Sequence, residues 1–202
     1  LSARQLGFSN GSFYIALLVA QISVGVAFDR IGVRVTVASL SIFMVIGALM
    51  HAIAATPELF IAARVVTGFG CAGSFMAAVV LVSGWFPRAR WSTVLSWVFA
   101  LSQIGVFSAG APLAFASELV GWRMAFAISA IVAAAVGALF YGLVRDPPRN
   151  EDRSDTPKDV LGPIAGVVTV LRMPGVIPVF ALFAVAYAAA VTMTGLWAGT
   201  YL

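Results

Sequence analysis

Charge and cysteine are what this sequence has least of. A single cysteine, Cys71, allows no intrachain disulfide, and with a single histidine, His51, no Cys/His spacing of a zinc site can be assembled. No metal and no cofactor are therefore expected. Charged residues occupy 10% of the 202 positions, against about 25% in soluble domains. The eight acidic residues, Asp29, Glu58, Glu118, Asp146, Glu151, Asp152, Asp155 and Asp159, all fall in loops or at the ends of apolar runs. No carboxylate in this stretch can then serve as a proton carrier at mid-membrane. With one histidine, placed at the end of a run, no converging set of His, Ser and carboxylate groups is visible either, so enzyme chemistry is not expected.

Apolar residues fill the space those absences leave: 61% of the chain is hydrophobic and the mean hydropathy is +1.02. Six apolar runs stand at about 9–28, 35–55, 59–85, 93–117, 122–144 and 176–202, each close to the ~20 residues a helix needs to cross a bilayer. Only helices and closed barrels satisfy their own backbone in lipid, and these runs lack the alternation of barrel strands. The expected fold is an all-α polytopic membrane bundle.

The charge of +4 and pI near 9.8 raise the question of nucleic acid. The basic residues sit in short loops rather than in one patch interleaved with aromatics, so no nucleic-acid partner is expected. Their distribution has another meaning. Nine of them (Arg30, Arg34, Arg88, Arg90, Arg145, Arg149, Arg153, Lys158 and Arg172) follow the first, third and fifth runs, whereas the opposite loops hold only Arg4 and Arg123. By the positive-inside rule the first set is cytoplasmic and residue 1 is extracytoplasmic, so a chain with a cytoplasmic amino terminus would need an odd number of spans upstream, one in the simplest case. His51 and Glu58 are assigned to the extracytoplasmic loop before the third run. The chain also begins without Met and stops at Tyr201-Leu202 within an apolar run, so it reads as a fragment.

Residues 145–175 differ in kind, being polar and interrupted by proline from Arg145 to Asp159, the composition of a solvated linker. Val160 to Leu171 reads as a short amphipathic helix at the cytoplasmic face. The expected organisation is thus 1–144 as membrane helices, 145–175 as cytoplasmic linker, and 176–202 as a further span.

Four segments carry a resemblance. Gly25-Val-Ala-Phe-Asp29-Arg30-Ile-Gly32-Val-Arg34 resembles the G-x-x-x-D-R-x-G-x-R loop between helices 2 and 3 of the major facilitator superfamily. Arg64-Val-Val-Thr-Gly68-Phe-Gly70 is similar to that family's R-x-x-x-G-x-G pattern in helix 4. Trp85-Phe86-Pro87-Arg88 is similar to its exit from helix 4, and Gly121-Trp122-Arg123-Met-Ala-Phe126 to the G-W-R-x-x-F entry to helix 6. The first loop also has a physical reading: Gly25 lets another helix approach, Asp29 can face a helix amino terminus, Gly32 permits a tight turn, and Arg30 and Arg34 anchor the cytoplasmic side and can pair with Asp29. Alone, it could also be an ordinary positive-inside hairpin, the lesser of the two readings. Gly68-Phe-Gly70-Cys-Ala-Gly73 also fits the dinucleotide fingerprint, but lies inside an apolar run, where close helix packing explains it better.

The resemblance implies that residues 1–144 are family helices 2–6, that 176–202 is helix 7, and that two six-helix bundles rock about a central site. It makes Gly25, Asp29, Arg30, Gly32 and Arg34 a conformational latch. It also draws candidate cavity residues from helices 2, 5 and 7: Tyr14, Gln21, Trp97, Gln103, Tyr187 and Trp197. Arg64, the only ionisable residue well inside a run, can bind an anionic substrate or hold its helix through carbonyl oxygens; both readings stay open. The antiporter pattern G-P-x-x-G-G is not met by Gly110-Ala111-Pro112-Leu113-Ala114-Phe115, which favours symport or uniport. The Trp85-Phe86-Pro87 exit and Gly195-Leu-Trp197-Ala-Gly199 look like families moving organic anions, nitrate or sugar phosphates. The expectation is a monomeric secondary transporter of a small organic anion in a bacterial inner membrane, with proton or sodium as coupling ion. A transporter-like sensor and a drug or metabolite exporter are the alternatives.

Overall fold

The computed structural model describes residues 3–147, 169, 172, 173 and 175–192. Among these every regular element is a helix. The chain divides into two compact units, Leu1–Arg149 and Asn150–Leu202. The first holds α1 (Ala3–Ile31), α2 (Val33–Ala52), α3 (Pro57–Cys71), α4 (Ser74–Trp85), a 3-10 turn at Arg88–Arg90, α5 (Trp91–Ala109), α6 (Ala111–Val120) and α7 (Trp122–Leu143). The second holds α8 (Val176–Thr192), in which the Phe183 and Tyr187 rings stack 6.1 Å apart. Of the expected amphipathic helix at Val160 to Leu171 only Thr169 is described, and the end of the sixth run lies outside the described residues.

Among the described residues, five segments are long and apolar enough to cross a membrane: Gly7–Ile31, Val33–Ala52, Pro57–Trp85, Arg88–Ser108 and Trp122–Leu143. Two of the runs read as single spans are interrupted. The third breaks at Ala72-Gly73 between α3 and α4. The fourth breaks at Gly110, whose ψ of −118° is non-helical, and Pro112 follows in the first turn of α6, where a missing N–H removes no helical hydrogen bond.

Helix ends follow local chemistry. The α1–α2 reversal is a single residue, Gly32, at φ 87°, a left-handed value that side-chain-bearing residues rarely adopt. The basic loop expected over 25–34 therefore shrinks to one glycine: Gly25, Asp29 and Arg30 belong to α1 and Arg34 to α2. At the start of α3, Thr56 accepts a hydrogen bond from the Leu59 amide at 3.3 Å, Pro57 opens the helix and Glu58 occupies the positive first turn. His51, expected in the preceding loop, lies instead inside α2 and is 1% exposed. Its Nδ1, 2.7 Å from the Gly47 carbonyl oxygen one turn earlier, lets the ring stay within the helix envelope.

α2 is the centre of the first unit, flanked by α3 and α7, and α1 packs on α3. On α1 the buried positions Ala16, Ala20, Val24 and Phe28 recur every fourth residue, a single stripe, while Ile15, Leu18, Val19 and Ile22 face outward. Lipid removes the hydrophobic drive between helices, so their approach depends on small residues. A Cβ on Gly68 would stand 2.5 Å from the Phe13 carbonyl oxygen of α1, and one on Gly70 2.6 Å from the Met44 amide of α2. Gly47 lies against Thr67 of α3, and Gly137 of α7 against Ser41 of α2.

Candidate functional site

The α1–α2 turn is tied to the end of α7 by a residue the sequence had assigned to the linker. Asp146 accepts a hydrogen bond from the Arg34 amide at 2.9 Å, in the first turn of α2, where the orphan amides and the helix dipole favour a carboxylate. The same carboxylate lies over Gly32, where an added Cβ would meet its Cγ at 2.9 Å. Arg34 donates through Nε to the Tyr141 carbonyl oxygen at 2.7 Å, and its guanidinium lies 4.2 Å from the centre of the Tyr141 ring. Next to Asp146, Arg145 accepts at its carbonyl from Trp85 Nε1 at 3.2 Å, and Pro147 rests on Gly84 of α4. The segment after α7 thus straps the ends of α2, α4 and α7 together.

Within the latch set, Asp29 and Arg30 are exposed in the last turn of α1. Arg30 complements the negative end of its helix there. Gly25 does not make the close approach expected of it among the described residues: a Cβ there would meet only Met76 Sδ, at an ordinary 3.9 Å. Gly32 and Arg34 form the turn itself.

The second locus lies among α1, α2, α3 and α7. Arg64 is partly buried on α3, its guanidinium carbon 5.6 Å from the centre of the Phe60 ring, with Nε buried and, among the described residues, without a hydrogen-bond partner. Tyr14 of α1 and His51 of α2 are both near enough to interact electrostatically with it. The His51 ring stacks on Phe126 of α7 at 4.7 Å and meets Phe60 edge-on at 4.7 Å. Beside this aromatic cluster opens a cavity of about 550 Å³ lined by Ala54, Thr56, Phe60, Trp122, Arg123 and Phe126 among others. Arg123 stacks over Trp122 and donates to the Ala54 carbonyl oxygen at 3.2 Å.

Gln21, Trp97 and Gln103 are not gathered into this locus. Gln21 is exposed on α1. Trp97, 67% exposed, and Gln103 are carried by α5, which leans on α4 through the Phe75–Phe99 ring contact. The two are about 120° apart around the helix at 100° per residue, so they do not share a face. Tyr187 is exposed on α8 of the other unit, and Trp197 lies outside the described residues. Sequence reasoning had paired Arg64 with no neighbour and missed Asp146, Tyr141 and the burial of His51. Asp146 meets its amide across 112 residues, a pairing no local pattern announces.

A set of membrane-length apolar helices that carries a partly buried cation is the build of an integral membrane protein. The chain belongs to the Major Facilitator Superfamily, whose sequence pattern matches residues 1–202. It is 27% identical over 157 residues to the nitrate/nitrite transporter NrtP of Nostoc punctiforme, an alignment covering 73% of this chain and 30% of that protein. It is similarly 27% identical over 161 residues to the hexuronate transporter of Bacillus subtilis, covering 74% of this chain and 35% of that one. A putative tartrate transporter of Agrobacterium vitis is 25% identical over 155 residues, covering 73% of this chain and 34% of the relative. The chain spans about a third of the length of the curated relatives it matches.

Proposed function

We propose that this chain is the substrate-binding and latch-bearing part of a secondary transporter that moves a small anion, with a small carboxylate as the preferred cargo, by alternating access. The carrying observation is Arg64: a guanidinium within a membrane-spanning helix, with its Nε unpartnered and aromatic and imidazole rings for neighbours. The described carboxylates, Asp29, Glu58, Glu118 and Asp146, all stand at or near helix ends. A cation so placed is stabilised by an anion that arrives from outside the protein. Three of the relatives are named for anions, one inorganic and two organic acids, which supports the same reading.

In this proposal residues 1–144 supply family helices 2–6, 145–175 the cytoplasmic linker and 176–202 helix 7, in a bacterial inner membrane. Asp29 and the neighbouring arginines latch the cytoplasmic side in the outward-open state, with Asp146 holding the α1–α2 turn rigid. Transport is symport or uniport, since the Gly-rich antiporter pattern around Pro112 is not met.

The test is uptake of radiolabelled tartrate, glucuronate and nitrate by the full-length protein in proteoliposomes. Arg64→Ala is expected to lower uptake of the accepted anion at least about a hundredfold, the loss of one charge-assisted anion contact inside a low-dielectric site. Unchanged uptake by Arg64→Ala would remove Arg64 from the substrate site. Comparison of the three anions separates organic from inorganic cargo.

A further inference from the structure

We propose that His51 is a positioning residue for Arg64, acting through one shared water molecule that accepts from Arg64 Nε–H and donates to His51 Nε2; the inference rests on the reading of Arg64 as the anion-binding group.

The register of two antiparallel helices brings the side chains together. Gly47 of α2 lies against Thr67 of α3, and Gly70 of α3 against Met44 of α2, so His51, one turn beyond Gly47, comes level with Ala63 and its neighbour Arg64. Ala63 is 0% exposed, which marks this level as the tightest part of the contact. Phe60, one turn before Arg64, touches both partners: edge-on to the His51 ring at 4.7 Å and 5.6 Å from the guanidinium carbon.

The donor roles are fixed by the one hydrogen bond the histidine makes. Nδ1 is 2.7 Å from the Gly47 carbonyl oxygen, which can only accept, so Nδ1 carries the proton and Nε2 of the neutral ring presents a lone pair. Stacking on Phe126 and the edge contact with Phe60 hold the ring plane, so the lone pair has one direction. In the residue with 1% exposure, Nε2 is buried and unpartnered; on Arg64 the buried and unpartnered atom is Nε. One is an acceptor and the other a donor. Buried polar atoms of this kind are satisfied by ordered water, which bridges a donor and an acceptor at little cost.

The consequence is directional. With Nε held from the α2 side, the guanidinium is fixed about its stem, and its two Nη groups remain for the planar, two-point recognition of a carboxylate. His51 touches no substrate. Its contribution is the ordering of a long side chain before the anion arrives, which acts on affinity rather than on the rate of the conformational cycle.

The experiment uses the full-length protein and whichever of tartrate, glucuronate and nitrate the wild type takes up. His51→Phe keeps the stacked ring and removes the lone pair; it is expected to raise KM about tenfold while leaving the maximal rate within about twofold. His51→Gln places an amide oxygen near the Nε2 position and is expected to recover most of that loss. Independently of transport, protein labelled with 15N-histidine is expected to show the His51 Nε2 resonance moving in Arg64→Lys, which keeps the charge and lacks Nε–H, while the Nδ1 resonance stays. An unchanged KM in His51→Phe, a His51→Gln no better than His51→Phe, or an unmoved Nε2 resonance would each overturn the proposal. If Arg64→Ala leaves uptake intact, the anion-binding reading fails by itself, and the resonance still decides whether the two side chains are coupled.

Discussion

Helices α1, α2, α3 and α7 and helices α5 and α6 have similar composition and opposite fates. In the first group small residues let backbones meet: Gly68 against Phe13, Gly70 against Met44, Gly47 against Thr67 and Gly137 against Ser41. In the second, no position within the α5 span is buried, Trp97 and Phe107 are 67% and 73% exposed, and Gly105 has nothing within 4 Å of where its Cβ would stand. Apolar length alone does not separate α5 from the packed helices, since its span, like theirs, is long and apolar enough to cross a membrane. Close packing in an apolar solvent has to come from shape, and shape comes from where the glycines lie. The same division sorts the candidate residues: Arg64 and His51 belong to the packed group, where neighbours fix them, and Trp97 and Gln103 to the open one.

The most damaging way to break this comparison is to fill a packed glycine. Gly70→Val would drive a branched side chain into the Met44 backbone and is expected to abolish a monodisperse folded protein in detergent, as overpacking already costs about 1–3 kcal/mol for single methylenes. Gly105→Val, on the open helix, is expected to leave yield and thermal unfolding unchanged. Size-exclusion profiles of the two variants side by side decide it, and equal behaviour would sink the contrast.

Asp29→Asn comes next and sharpens the comparison by separating function from packing. Asp29 is exposed at the end of a packed helix, so the variant is expected to unfold like wild type yet transport about tenfold more slowly, a loss of about 1.4 kcal/mol from the latched state. Unchanged uptake rates would rule out the latch role.

Smaller still is the strap after α7. Asp146→Ala removes the carboxylate that caps α2 and is expected to lower stability by about 1 kcal/mol, read as a drop in unfolding temperature. Asp146→Asn, which keeps an acceptor, should recover part of it. The smallest effect is expected at Gly25→Ala, because the added methyl meets only Met76 at 3.9 Å; a drop in unfolding temperature as large as that of Asp146→Ala would show that Gly25 is packed after all.

Much of the fold was legible in the chain. Apolar runs of bilayer length fix helices, because lipid offers backbone amides no other partner, and Gly32 marks the reversal because its left-handed backbone suits glycine. The breaks at Ala72-Gly73 and Gly110 were less legible, since hydropathy continues across them unchanged. Of the candidate site, Arg64 stood out as a lone charge in an apolar run. Its surroundings did not.

By itself the sequence determined the solvent, the helical class, the family and the interior cation, since each follows from composition or from residues close together in the chain. Only the tertiary structure decided that His51 is buried level with Arg64, that Asp146 caps a helix 112 residues earlier, and that α5 stays open while α3 is packed. The physical reason is common to all three: they depend on which helix faces are brought together, and helix faces meet according to shape complementarity between segments distant in sequence.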